Sequence, residues 1–150
     1  MAETLVAFHH IGLAVRDFAA AREFYALQGY HCDVPVTDPL QDVELLFCTK
    51  TGSPSVELVK PLHERSPVAN YLKQQSECFY HVCFEVSELQ AALKTVYGVR
   101  RYLCVSPPKP AVLFGGRHVS FYYSRGIGLV EFLEPAKAAQ DGGYLPSSAN

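Results

Sequence analysis

Four residues of this 150-residue chain have the types and the spacing to hold a metal ion. Residues 8–15 read Phe8-His9-His10-Ile11-Gly12-Leu13-Ala14-Val15, and residues 79–86 read Phe79-Tyr80-His81-Val82-Cys83-Phe84-Glu85-Val86. A second match follows each: Ser55-Val56-Glu57-Leu58-Val59-Lys60-Pro61 and Leu129-Val130-Glu131-Phe132-Leu133-Glu134-Pro135. Setting His10 against His81 brings Glu57 and Glu131 into near register. Each half of the chain therefore carries a His near its start and a Glu near its end. Two imidazoles and two carboxylates suit one divalent cation of borderline hardness: Mn, Fe, Co, Ni or Zn, with Mg possible. The carboxylates offset its charge, and an octahedral ion keeps positions open for water or a bidentate substrate. That is the chemistry of a Lewis acid holding negative charge on a substrate oxygen. Glu57 and Glu131 are also candidates to move a proton, with Asp42 and Glu44 as alternatives.

The joint occurrence carries this reading, not any residue alone. A single strand His is ordinarily a hydrogen-bonded core or surface residue, and a single strand Glu ordinarily faces water. Here both types recur at matching places in a repeat, and a repeat is read as one unit of structure used twice. Glu57 and Glu131 are each flanked by apolar residues, where an ionised carboxylate is costly unless paired or metal-bound. Alternation sends His9 to the face opposite His10, so it reads as structural. His31, His63 and His118 have no partner at ligand spacing. Three weaker candidates for substrate contact remain. Glu44 and His118 stand at equivalent places ahead of Glu57 and Glu131, and Glu85 shares the face of His81.

The elements that must position these residues can be read from pattern. In the first segment His9, Ile11, Leu13 and Val15 point one way and His10, Gly12 and Ala14 the other. The bulky set should pack under a helix, and the small residues leave space above the sheet. Asp17 suits an N-cap. Phe18, Ala20, Ala21, Phe24 and Tyr25 form a helix face that Gly29 ends. Strands are expected at about 30–36, 43–49 and 55–60. Ser66-Pro67 opens a short helix over 68–75. The second half repeats the order: a strand at 79–86, a capping box at Ser87-Glu88-Leu89-Gln90, and a helix ended by Gly98. Strands follow at about 99–105, 112–114 or later, 117–123 and 128–134, with Pro107-Pro108-Lys109-Pro110 and Gly115-Gly116 in loops.

Each half is thus βαβββ. Residues 1–62 form the first module, 63–78 a connector, 79–135 the second module and 136–150 a frayed tail. The expected fold is α+β: two modules forming a curved, mostly antiparallel eight-stranded sheet around a central cavity, with helices outside.

Composition bounds the partners. Hydrophobic residues make up 49% and charged residues 19%, which suits a folded domain rather than a disordered chain. A formal net charge of −2 without a basic run argues against nucleic acid. No apolar stretch is long enough to span a bilayer. The start, Met1-Ala2-Glu3-Thr4, lacks the features of a signal peptide. The cytoplasm is the expected location, and a small molecule is the expected partner. Five cysteines without a CxxC are expected to be free, buried thiols and not a metal site.

The motifs together resemble the vicinal oxygen chelate superfamily, which includes glyoxalase I, methylmalonyl-CoA epimerase, extradiol dioxygenases and the fosfomycin and bleomycin resistance proteins. The markers are His10-Ile11-Gly12-Leu13-Ala14-Val15, Phe24-Tyr25, Leu27-Gln28-Gly29-Tyr30, Val56-Glu57-Leu58 and Gly128-Leu129-Val130-Glu131. Within it, Val56 to Leu62 and Ser66-Pro67-Val68-Ala69-Asn70-Tyr71-Leu72 look most like the methylmalonyl-CoA epimerase branch. The resemblance implies that His10, His81 and Glu131 are ligands. Glu57 matches a position that holds Gln or Glu in epimerases and Glu in glyoxalase I. It also implies a homodimer, with modules paired within a chain or swapped between chains. One position departs. The epimerases carry an acidic residue before a Gln-x-Val, and here Leu40 precedes Gln41-Asp42-Val43. An alkyl group takes no proton.

Three functions follow as expectations. The first is a metal-dependent isomerase or lyase of the glyoxalase or epimerase type, acting through an enolate-like intermediate of a small carbonyl or acyl-thioester substrate. The second is an Fe(II) extradiol ring-cleaving dioxygenase using His10, His81 and Glu131, against which Glu57 counts as a fourth ligand. The third is a metal-free protein that sequesters an apolar ligand or antibiotic.

Overall fold

The computed structural model describes residues 3–137. The first half gives strand β1 (Val6–Ala14), helix α1 (Ala19–Leu27) and strands β2 (His31–Cys32), β3 (Val36–Asp38), β4 (Val43–Thr49) and β5 (Ser55–Pro61). Helix α2 (Pro67–Gln74) connects to the second half. That half gives β6 (Cys78–Val86), α3 (Leu89–Tyr97), β7 (Leu103–Pro110), a 3₁₀ turn (Val112–Phe114), β8 (His118–Ser124) and β9 (Gly128–Leu133). The strands form one sheet in the order β2-β4-β5-β1-β6-β9-β8-β7, with β3 beside β4. β1 with β5 and β6 with β9 are parallel. The other pairings among the described residues are antiparallel.

The sheet is curled. β4 and β7 stand six places apart in the strand order, which in a flat sheet is roughly 29 Å at about 4.8 Å per strand. Yet Val43 and Leu45 of β4 line the same 240 Å³ cavity as Val105, Ser106 and Lys109 of β7. The expected α+β architecture is the observed one, and the two halves of the chain join directly through β1 and β6.

Two helices lie outside the curl. α1 packs Tyr25 on Val15, Leu46, Cys48, Val56 and Leu58, and α3 packs Leu89, Ala92, Leu93 and Tyr97 on Val86, Tyr122, Val130 and Phe132. The connector α2 departs from that rule. Its Val68 and Leu72 join Ala14, Val43, Leu45 and Val59 on the inner face, so it closes one end of the cavity. Burying such side chains stabilises the closure by about 1.5–3 kcal/mol each. Phe24, expected on the packed face of α1, is exposed.

Strand boundaries moved where proline and caps intervene. The strand expected over 30–36 is split into β2 and β3 at Asp33-Val34-Pro35, because proline offers no N–H to the ladder. Conversely, β7 runs through Pro107, Pro108 and Pro110, expected in a loop. It can do so because it is the edge strand, and its register on β8 slips between Ser106 and Lys109. Residues 112–114 form a 3₁₀ turn instead of a strand. The α3 cap falls one residue later than expected: Glu88 accepts from the Gln90 and Ala91 N–H groups, while the Ser87 hydroxyl accepts from Leu5 N–H. At α1 the N-cap is Phe18, one residue after the expected Asp17, whose Oδ1 still accepts from Ala19 N–H. Of the expected tail, residues 138–150 lie outside the described residues.

Candidate metal centre

Each half builds its share of the site the same way. β5 pairs with β1 so that Glu57 stands opposite Gly12, two residues past His10. β9 pairs with β6 so that Glu131 stands opposite Cys83, two residues past His81. Each Glu therefore reaches the face of its own His, since side chains two apart on a strand share a face. The antiparallel β1–β6 ladder then sets Gly12 opposite His81 and Cys83 opposite His10, which brings the two half-sites together. Gly12 is required by close approach: a Cβ there would overlap the His81 ring. The space left by the small residues of β1 is occupied by that imidazole.

Both histidines follow a β-bulge. Phe8 pairs with Phe84 and His10 with Cys83, so His9 is an extra residue on β1. Gly12 pairs with His81 and Leu13 with Phe79, so Tyr80 is an extra residue on β6. The bulges overturn the strict alternation of each strand, which would send His9 away from His10 and set Tyr80 on the face of Val82, Phe84 and Val86, opposite His81. His9 turns to the inner face, where its Nδ1 lies 2.8 Å from His10 Nδ1 and its ring stacks on Phe47. Tyr80 joins the inner-face cluster and lines the cavity instead of packing with Val82 and Phe84. A signal for both bulges exists in the sequence. The outer-face apolar residues step by three at Phe8–Ile11 and at Phe79–Val82, where a regular strand steps by two.

The four residues meet in the interior. His10 is 0% exposed, Glu57 4%, His81 4% and Glu131 2%. His10 Nε2 stands 3.1 Å from Glu131 Oε1, 3.5 Å from Glu57 Oε2 and 3.3 Å from His81 Nε2. His81 Nε2 stands 3.5 Å from Glu131 Oε1 and 3.8 Å from Glu57 Oε1. Donors about 2.1 Å from a shared ion stand roughly 3.0–3.4 Å apart when adjacent, so these separations suit one ion. Hydrogen bonding alone leaves the group short: Glu131 Oε1, despite its near neighbours, has no aligned partner among the described residues. A buried carboxylate oxygen in that condition is expensive unless a cation meets it. The donor set therefore fits a divalent ion.

Charge within the cluster is already organised. Burial works to lower His10, but the charge of Glu57 and the close Cys83, Glu131 and Glu57 side chains outweigh it and push the imidazole up to about 12. Burial works to raise Glu131, but the His10 and His81 imidazoles close beside it hold it well below the usual carboxylate range. Burial and the neighbouring His10 lower His9, leaving a neutral ring whose Nδ1 accepts the His10 Nδ1–H. That bond fixes the tautomer that aims the His10 Nε2 at the cluster. Cys83 lies close enough to form a second possible donor group with His9 and His10. Burial pushes its thiol up to about 12, so it stays protonated and is a poor ligand at neutral pH.

One member of the cluster opens outward. Glu57 lines the 240 Å³ cavity, with Val43, Leu45, Val59, Val68 and Phe121 as apolar wall and Asp42, Tyr71, Tyr80 and Lys109 as polar contributors. Leu40 also lines it. Burial and then the charges of Glu57 and Glu131 raise Tyr80 well above the usual phenol value, so its hydroxyl keeps its proton. The three weaker candidates lie elsewhere. Glu44 pairs with Lys60 Nζ at 3.3 Å, and that ammonium sits over the Phe18 ring. Glu85 pairs with Arg117 at 2.8 Å. His118 borders a separate surface hollow with Arg117 and Glu134. Sequence reasoning missed His9, Tyr80 and Lys109 as residues of the site.

The paired βαβ halves, joined at β1 and β6 around four inward donors, define the class of the domain. The chain belongs to the glyoxalase/bleomycin resistance protein/dioxygenase superfamily, whose family model matches residues 9–121. Glu131 lies beyond that match and is brought in by the fold. The chain is similar to ethylmalonyl-CoA/methylmalonyl-CoA epimerase of Cereibacter sphaeroides, 34% identical over 86 residues, which is 56% of this chain and 63% of that protein. It is also similar to the mitochondrial methylmalonyl-CoA epimerase of Bos taurus, 34% identical over 87 residues, 57% of this chain and 49% of that protein. The matched segment thus spans about half to just under two thirds of these relatives. In fold it resembles the crystal structure of methylmalonyl-CoA epimerase from Mycobacterium tuberculosis, with a TM-score of 0.74, 24% identity, and 91% and 93% of the two chains covered. No helix among the described residues is long and apolar enough to cross a membrane.

Proposed function

We propose that this chain is a divalent-metal-dependent acyl-thioester isomerase of the acyl-CoA epimerase type, in which His10, His81, Glu57 and Glu131 hold the ion. The observation that carries the reading is the buried four-donor cluster that meets an apolar cavity through Glu57 alone. A divalent ion bound there supplies positive charge for the oxygen of a thioester carbonyl. The residues of the chain do the rest. The apolar walls from Val43, Leu45, Val59 and Phe121 keep water away from the α-carbon. Glu57 is the carboxylate that faces that space, and it takes the α-proton and returns it. Glu131, turned toward both histidines, holds the cluster together. Tyr80, kept protonated, donates a hydrogen bond within the cavity. The curated relatives named as acyl-CoA epimerases support the substrate class.

Leu40 favours a second reading of the same site. Its side chain lines the cavity, so the acid expected of an epimerase is absent at that wall. Asp42, two residues on, lines the cavity too and is paired with His63 Nε2 at 3.4 Å. Epimerisation requires Asp42 to serve the second face of the α-carbon. Otherwise Glu57 works alone, as a one-carrier lyase or isomerase would need. The ring-cleaving dioxygenase reading is the weaker one, because Glu57 stands within the donor group and makes it four, not three.

The test is proton exchange in D₂O. Metal-reconstituted protein given methylmalonyl-CoA should place deuterium at the α-carbon and interconvert the epimers. Exchange without inversion supports the one-carrier reading. No exchange with any acyl-CoA, and turnover of a hemithioacetal instead, overturns the epimerase reading.

A further inference from the structure

Cys32 and Cys48 lie outside the metal centre and have no part in the proposed reaction. Cys32 ends β2 at the edge of the sheet, directly opposite Cys48 of β4. Asp33 N–H bonds to the Phe47 carbonyl at 2.9 Å, which makes Cys32–Cys48 a non-hydrogen-bonded pair of the ladder. Side chains approach most closely in such pairs, with Cα atoms about 4.5 Å apart, inside the range a disulfide spans. The Cys48 thiol donates to Cys32 Sγ at 3.0 Å. Both sulfurs lie in one pocket under α1, with Tyr25, Leu46 and Val56. Cys32 is half-buried at the edge, whereas Cys48 is buried. The side chains need move only about 1 Å to reach bonding distance.

We propose that Cys32 and Cys48 are a redox-modification site: a vicinal cross-strand dithiol that a peroxide converts to a disulfide clamping one wall of the cavity. The Cys32 sulfur, at the edge, attacks the peroxide. Its O–O bond breaks, one oxygen leaves as water, and Cys32 becomes a sulfenic acid. The Cys48 sulfur then displaces the hydroxyl of that sulfenic acid, forming the S–S bond and a second water. Two thiols lose two electrons and two protons, and hydrogen peroxide is reduced to two waters. The division of labour follows burial. Burial and the adjacent Cys32 push Cys48 up to about 12, so it waits as the protonated, resolving thiol.

The clamp acts on the cavity because of what it encloses. The chain between the two cysteines carries β3 and the segment Leu40 to Leu45, most of which lines the cavity. In the dithiol state β2 meets β4 over a short ladder, the His31–Thr49 and Cys32–Cys48 pairs with the Asp33 N–H to Phe47 carbonyl bond beside them. A disulfide closes that segment into a covalent loop and limits how far it opens. The inference is independent of the metal and of the epimerase reading.

The experiment treats the full chain with stoichiometric hydrogen peroxide. No Lys or Arg lies between the two cysteines, so trypsin leaves them on one peptide, and cleavage at the intervening acidic residues is used instead. The expected result is a Cys32–Cys48 linked peptide pair lighter by two hydrogens. Tm should rise by roughly 5–10 °C, hydrogen exchange should slow over residues 39–45, and reductant should reverse both. Cys32→Ser, at the half-buried edge, should fold normally and show none of these changes. If Cys32 and Cys48 remain thiols while exposed Cys104 is oxidised, the proposal is wrong. It is equally wrong if the link forms without slowing exchange at the cavity wall.

Discussion

His10 and His81 stand at equivalent places in the two halves, yet the molecule supports them differently. The His10 ring is held at Nδ1 by His9. The His81 Nδ1 has no hydrogen-bond partner among the described residues. Its ring is instead wedged between Tyr80 and Phe121, edge-on to each, over the backbone of Gly12. The carboxylates differ as well: Glu57 faces the cavity and Glu131 does not. Duplicated strand pairing places four donors, and what surrounds each donor assigns its task. The first half supplies the polar support and the carboxylate that lines the cavity, which in the proposed reaction meets substrate. The second half supplies an aromatic clamp and the carboxylate that lies against both histidines, which in the proposed centre holds the ion.

The sharpest way to break this comparison is at the crossing point of the halves. Gly12→Ala should expel the His81 ring, abolish stoichiometric metal binding and cost about 1–3 kcal/mol of stability by overpacking. The equivalent Cys83→Ala should keep the metal. Equilibrium dialysis with thermal melts checks both, and equal behaviour of the two variants would contradict the asymmetry. The carboxylates separate next. Glu57→Gln should retain the ion more firmly than Glu131→Gln, yet slow α-proton exchange by about 10²–10⁴-fold. Direct titration of the ion and deuterium incorporation read the two effects apart.

Smaller effects lie in the supports. His9→Phe should weaken metal affinity by about 10–100-fold. His9→Asn, whose carbonyl can accept the same Nδ1–H, should restore most of it. Tyr80→Phe keeps the aromatic wall of His81 and should leave affinity near wild type. The smallest effect is a matter of pH. In metal-free protein His10 is raised to about 12, so its contribution to stability is present below about 6.5 and is lost as pH rises through that higher value. Glu131 is lowered, so its contribution is present above about 4.5 and is lost as pH falls through its folded value. An ion must displace the His10 proton and finds Glu131 already ionised. Apparent affinity should therefore rise about tenfold per pH unit near neutrality. Calorimetry in buffers of different ionisation enthalpy should show proton release on binding.

Much of this was legible because repetition amplifies weak signals. A His and a Glu recurring in two similar frames pointed to the four residues that meet in the interior, and the small Gly12 and Ala14 signalled open space above β1. The bulges were less legible, since one inserted residue leaves the composition of a strand unchanged and only shifts its period. That hid the turn of His9 and Tyr80 toward the site. Long-range pairing was not legible at all. Lys109 reaches the cavity because a proline-rich edge strand curls round to face β4, and no local pattern carries that information. Cys32 and Cys48 are likewise separated in sequence and become neighbours through register alone.

The central claim is that four residues from two halves hold a single ion. Protein stripped of metal, reconstituted with Co(II) and measured for bound metal and visible absorption tests it most directly. One ion per chain in the wild type, lost in both His10→Ala and His81→Ala while the fold persists, is the predicted result. A folded wild type that binds no ion, or binds one undiminished in both variants, would contradict it.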